Sequence, residues 1–146
     1  EMVTVYDPYK KINNECYTQV HDLYELAKNC DIISLHVHVT AETTGMIDQN
    51  FLKNAKEDVL IVNTSRGEIV DEIALVKFLK ANPLSTLATD VLRDEIRNRK
   101  SSPLFQFAKT SDQVLITPHI GGMTVHAQSI AYNHAVHLLK TFLNNK

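Results

Sequence analysis

Glycine, cysteine and long apolar runs are all scarce in this chain, and each scarcity excludes something. The four glycines stand at 45, 67, 121 and 122, so no G-x-G-x-x-G phosphate loop can be written anywhere along it. The two cysteines, Cys16 and Cys30, have no C-x-x-C spacing and no histidine at ligand spacing. They form neither a disulfide framework nor a zinc site, and we expect a reduced, cytoplasmic setting. No apolar stretch approaches the ~20 residues that cross a bilayer, and the first residues carry no signal-peptide pattern, so no membrane partner is expected. An excess of one charge is missing too. Fifteen Lys and Arg stand against 17 Asp and Glu for a net −2, scattered evenly, which leaves no basic face for nucleic acid. What remains is 146 residues, 44% hydrophobic and 22% charged, enough for one globular domain with a real core.

Short apolar runs alternate with helical patterns along the whole length. The runs at 2–7 (MVTVYD), 31–37 (DIISLHV), 58–64 (DVLIVNT), 85–91 (STLATDV) and 113–118 (QVLITP) are rich in Val, Ile, Leu and Thr. They are nearly continuous in apolar character, which predicts strands buried on both faces, as in a parallel sheet. Between them, 22–29 places Leu23, Leu26 and Ala27 on one face, and a short helix is expected from Asp48 to Asn54. The stretch 71–81 begins at Asp71, a natural N-cap, and is stopped by Asn82-Pro83. From Thr124 onward, Ala127, Ile130, Ala131, Ala135, Leu138 and Phe142 recur at helical spacing. Strand-helix alternation of this kind predicts βαβ units in an α/β, Rossmann-like, doubly wound parallel sheet. The polar segment 93–112, with its apolar patch at Pro103, Leu104, Phe105 and Phe107, reads as a long irregular connection.

The residues able to do chemistry sit where the strand-like runs end, the place where open α/β sheets build their ligand crevice. Asp7 closes the first run and is followed by Pro8, which cannot extend a ladder. An acid there suits ribose hydroxyls, and it also suits a plain Asp-Pro turn. Arg66, in Asn63-Thr-Ser-Arg-Gly67, can grip a carboxylate with two parallel hydrogen bonds or can lie on the surface. Gly67 allows close backbone approach. His119, in Thr117-Pro-His-Ile-Gly-Gly122, is the natural acid/base at neutral pH or a histidine satisfied near a turn. Asp90 and Glu95 are both placed to serve it, and spacing alone does not choose between them. His36 and His38 share a strand face without a third ligand, so no metal site is expected. His126, His134 and His137 fall on the last helix as surface or interface residues.

Taken together, VTVYDPY, SLHVHVTAETTGMID, VNTSRGEIVDE, ATDVLRDE and TPHIGG resemble, in order and at family spacing, the D-isomer-specific 2-hydroxyacid dehydrogenases. The similarity runs through almost the whole chain. It implies an NAD cofactor, a small 2-keto or 2-hydroxy acid as substrate, and hydride transfer between them. By the same resemblance Arg66 would bind the substrate carboxylate, His119 would be the acid/base, and Glu95 would pair with it. Asp7, His38, Thr43, Thr64, Ser65, Arg66, Asp90, His119, Gly121 and Gly122 would line the cofactor site, Asp7 at the ribose and Asp90 beside the nicotinamide carboxamide. Two positions depart from the pattern: His38 stands where many members have proline, and Ile96 follows Glu95 where proline is usual.

The family's glycine-rich loop belongs ~20 residues before the ribose acid, and only six residues precede Asp7. We therefore expect a partial NAD-binding domain over 1–146, lacking the first strand and its loop, from a dehydrogenase of roughly twice the length. In the strand order 3-2-1-4-5-6 the missing strand is central, so its loss is expected to expose the run at 2–7 and the run at 58–64 as edges. Exposed apolar edges predict a homodimer or swapped oligomer, and a chain inactive on its own. The alternative is a non-enzymatic NAD(H)-sensing module, as in corepressors related to the same family.

Overall fold

In the computed structural model, residues 3–13 and 15–144 are described. Met2, counted in the first expected strand, lies outside them. Among the described residues the strands are all parallel and form two sheets. The first pairs β1 (Val3–Tyr6) with β2 (Tyr17–Val20). The second runs β3 (Ile32–Leu35), β4 (Leu60–Asn63), β5 (Thr86–Thr89), β6 (Val114–Ile116) in that spatial order. Each of the five apolar runs yields a strand, and the architecture is the Rossmann-like α/β one.

The helices also fall where periodicity put them. They are α1 (Leu23–Asn29), α2 (Gln49–Asn54), α3 (Glu72–Ala81) and α6 (Val125–Asn144), with two more, α4 (Glu95–Asn98) and α5 (Pro103–Ala108), inside the segment expected to be irregular. Caps fix their starts. Asp22, Asp48, Asp71 and Ser102 each accept a backbone N–H of the first turn of α1, α2, α3 and α5 respectively, which satisfies donors that the helix itself leaves unpaired.

Two expectations are corrected. The run at 58–64 is no edge: β4 lies between β3 and β5, and β3 is the outer strand of the larger sheet. The reason is β2, a polar strand that takes the place beside β1 and leaves the run at 31–37 free to pair with β4. Nor is the large sheet buried on both faces. Ile33, Leu35, Ile61, Leu87 and Val114 face a core filled by Ala27, Phe51, Leu52, Leu75, Leu79 and Leu104 from α1, α2, α3 and α5. On the opposite face Ile32 and Leu115 remain more than 60% exposed, and α6 buries none of its described side chains. The alternation in burial follows from the period of two along each strand, with the helices named above on one side only.

Candidate functional site

The strands β4, β5 and β6 end side by side, and the three segments that leave their carboxyl ends build the site. After β4, the buried Asn63 shapes the turn: its side-chain amide donates to Arg66 O at 3.0 Å and its carbonyl accepts the Ser65 N–H at 3.0 Å. Ser65 Oγ donates to Val37 O at 2.6 Å, which ties this turn to the end of β3. Arg66 is thereby presented outward, one guanidinium nitrogen resting on Ser65 O at 2.7 Å. Gly67 follows because nothing larger fits. A Cβ there would stand 2.1 Å from the Leu92 carbonyl carbon and 2.3 Å from the Arg93 nitrogen, inside any tolerable contact.

After β5 the chain passes through the buried Asp90 and turns into α4. Asp94 takes a left-handed backbone, φ 52°, and Glu95 opens the helix. Glu95 uses both oxygens: Oε2 accepts the Leu92 N–H at 3.1 Å, and Oε1 meets Nδ1 of His119 in a short hydrogen bond. A carboxylate on Nδ1 fixes the ring orientation and leaves Nε2 as the working nitrogen. Of the two acids that the sequence left open, Glu95 is the one bonded to the imidazole.

After β6 comes the histidine turn. His119 has φ 54°, unusual for a residue with a side chain, and Asp90 organises the backbone around it. Its Oδ1 accepts the Thr117 hydroxyl and the Ile120 N–H at 3.0 Å, while Oδ2 accepts the Gly121 N–H at 2.8 Å. A Cβ on Gly121 would lie 3.1 Å from Asp90 Oδ2, so the small residue permits that close bond. Burial pushes the Asp90 carboxyl up, but the Thr117 hydroxyl, the Gly121 and Ile120 amides and nearby His119 outweigh it and hold the group below the usual carboxylate value.

A cavity of about 390 Å³ opens between these segments, lined by Arg66, Gly67, Leu92, Glu95, Arg97 and His119 among others. A smaller one, about 80 Å³, lies at the strand ends between Thr64, Asp90, Leu115 and Thr117. The structure thus gathers Arg66, Glu95 and His119 around one space, and Thr64 and Asp90 around another. Gly122 is open, a Cβ there meeting nothing within 4 Å.

The remaining expected residues lie outside both cavities. Asp7 follows β1 and its Oδ1 accepts the N–H groups of Tyr9 and Lys10 at 2.9 and 3.0 Å, the geometry of a turn residue. His38 is exposed after β3, and Thr43 Oγ1 closes that loop by donating to His38 O at 2.5 Å and accepting the Thr40 N–H at 2.8 Å. Sequence reasoning passed over Asn63, which it quoted without a role, and the cavity residue Arg97. Among the described residues no group of three His, Cys, Asp or Glu is placed to hold a metal ion, and no helix is long and apolar enough to cross a membrane.

Parallel strands whose carboxyl ends gather an arginine and a carboxylate-held histidine define a dinucleotide-type α/β protein. Residues 2–121 match the D-isomer specific 2-hydroxyacid dehydrogenase family in its NAD binding domain, and the chain belongs to that family. It is 37% identical over 131 residues to the D-3-phosphoglycerate dehydrogenase of Mycobacterium bovis, covering 88% of this chain and 24% of that protein. Over 144 residues it is 35% identical to the D-3-phosphoglycerate dehydrogenase of Methanocaldococcus jannaschii, 97% of this chain and 26% of that one. The D-lactate dehydrogenase of Aquifex aeolicus, solved with NAD and lactic acid, superposes with a TM-score of 0.76 at 30% identity, covering 99% of this chain and 46% of that chain. The chain spans about a quarter of the length of the curated relatives it matches.

NAD is the cofactor of this domain family, and the residues present fit one end of it. The open backbone at Gly122 and the polar Thr64 and Asp90 at the smaller cavity are what would border its nicotinamide end. The four glycines, at 45, 67, 121 and 122, include none in a pyrophosphate-cradling motif.

Proposed function

We propose that this chain carries the acid/base and carboxylate-binding part of an NAD-dependent D-2-hydroxyacid dehydrogenase. The observation that carries the reading is the Glu95–His119 pair facing Arg66 across one cavity. Arg66 would bind the 2-keto acid's carboxylate and polarise the neighbouring carbonyl. His119, oriented through Nδ1 by Glu95, would present Nε2 to the keto oxygen and donate the proton in reduction, accepting it back in oxidation. Asp90 would keep the His119 turn in place, and Thr64, Ser65, Gly121 and Gly122 would border the nicotinamide. Bound NADH supplies the hydride.

Asp7 at the ribose and His38 near the adenine, with Thr43 in the same cofactor site, complete the cofactor reading, supported by family membership. We read 1–146 as NAD-binding-domain sequence in a cytoplasmic setting, with the exposed α6 favouring association as a homodimer.

The test is NADH consumption by the full-length protein, over glyoxylate, pyruvate, hydroxypyruvate and 3-phosphohydroxypyruvate. Turnover of at least one supports the reading. Saturable NADH binding with no turnover on any would favour the sensing module.

A further inference from the structure

Glu72 is a buried carboxylate, 5% exposed, that the chemistry above leaves unused. It stands at the first position of α3, yet its side chain turns away from its own helix. Oε1 accepts the Arg93 N–H at 3.0 Å, and Oε2 accepts the Ser102 hydroxyl at 2.6 Å. Those two partners are the two ends of one segment, 93–102, and Glu95 lies within it.

We propose that Glu72 is a positioning residue for the Glu95–His119 pair, acting as a clasp that closes this segment at both ends. The inference rests on the reading of that pair as the acid/base. Arg93 N–H belongs to the peptide group next to the one that holds Glu95: the Leu92 N–H donates to Glu95 Oε2. The same Leu92–Arg93 peptide packs directly against Gly67. Glu72 therefore fixes the backbone from which Glu95 takes its second hydrogen bond, leaving Oε1 aimed at His119 Nδ1. At the far end, Ser102 Oγ donates to Glu72 and accepts the Phe105 N–H at 3.1 Å, so the clasp is continuous with the cap of α5.

The chemistry calls for a carboxylate. Both partners are donors, which an acceptor-only group satisfies at both oxygens. Glutamine has the same shape and can still reach both partners, but its NH₂ must turn the Ser102 hydroxyl round into an acceptor and both bonds lose their charge assistance, so Glu72→Gln weakens the clasp without emptying the core. The start of a ten-residue helix also favours negative charge there.

The experiment compares the full chain with Glu72→Gln and Glu95→Gln by NMR of the His119 ring nitrogens and by amide hydrogen exchange. In the starting protein Nδ1 should report its bond to Glu95, and Glu95→Gln should move that resonance. Glu72→Gln should move it the same way, by at least half as much, and should speed amide exchange over 93–102 by about tenfold while β4 and β5 stay protected. A folded Glu72→Gln protein with the Nδ1 resonance unmoved overturns the proposal. An unmoved resonance in Glu95→Gln overturns the pair beneath it, a separate failure that the exchange data identify. If Glu72→Gln does not fold, Ser102→Ala replaces it. Loss of the one hydroxyl should shift Nδ1 in the same direction and Ser102→Thr should restore it; equal shifts in both, or none, overturn the clasp.

Discussion

Glu95 and His119 are 24 residues apart in sequence and joined through Oε1 and Nδ1, the carboxylate 23% and the imidazole 47% exposed. Half of the ring is thus held and half is offered to the cavity. Replacing Glu95 by Gln keeps the size and removes the carboxylate that orients the ring through Nδ1. Turnover is expected to fall about 10²-fold, a share of what general acid–base catalysis supplies, with NADH affinity retained. Steady-state rates paired with a fluorescence titration of NADH check this.

Arg66→Lys keeps the charge and loses the planar fork. Losing one charge-assisted bond, about 1.5–3 kcal/mol, corresponds to roughly a 10- to 100-fold fall in kcat/KM for the keto acid. An unchanged kcat/KM would show that Arg66 does not contact the substrate carboxylate.

Gly67 and Gly122 make a contrasting pair. Gly67→Ala drives a methyl group into the Leu92–Arg93 backbone and is expected to destabilise by about 2 kcal/mol or more. Gly122→Ala meets open space and should stay within about 0.5 kcal/mol of the parent. Urea unfolding of the two variants tests both values.

Asp90 gives the site a pH signature. Burial opposes its charge, yet the Thr117, Gly121 and Ile120 donors and His119 leave its folded value lowered from 3.8. A lowered carboxyl contributes stability that is fully present above the unfolded value and is lost as pH falls through the folded one. The stability gap between the parent and Asp90→Asn should therefore be constant from pH 7 to about 5 and narrow below pH 3.8. Denaturant midpoints at pH 7, 5 and 3 measure it, and a gap that widens in acid would contradict the assignment.

Much of this was legible in the residues. The runs that became β1 and β3–β6 are β-branched and apolar, and α1, α2, α3 and α6 carry helical spacing with acidic or hydroxyl starts. What escaped depends on tertiary partners. The strand at Tyr17–Val20 has no apolar run and exists because β1 offers it an edge. The helix α5 is only six residues long, and its one local signal is Ser102 followed by Pro103, a cap and a first-turn proline. In the site, the pattern gave Arg66, Glu95 and His119 but not Glu72, because a helix-start glutamate looks like surface until the fold brings Arg93 and Ser102 to it across 21 and 30 residues. Both-face burial was over-read from continuous apolar character, since the helices α1, α2, α3 and α5 cover one side.

The central claim is that His119 transfers the proton, and the most direct test is His119→Gln in the full-length protein. NADH-dependent reduction of the 2-keto acid is expected to drop 10²- to 10⁴-fold while the NADH dissociation constant stays the same. Undiminished turnover in His119→Gln would contradict the account.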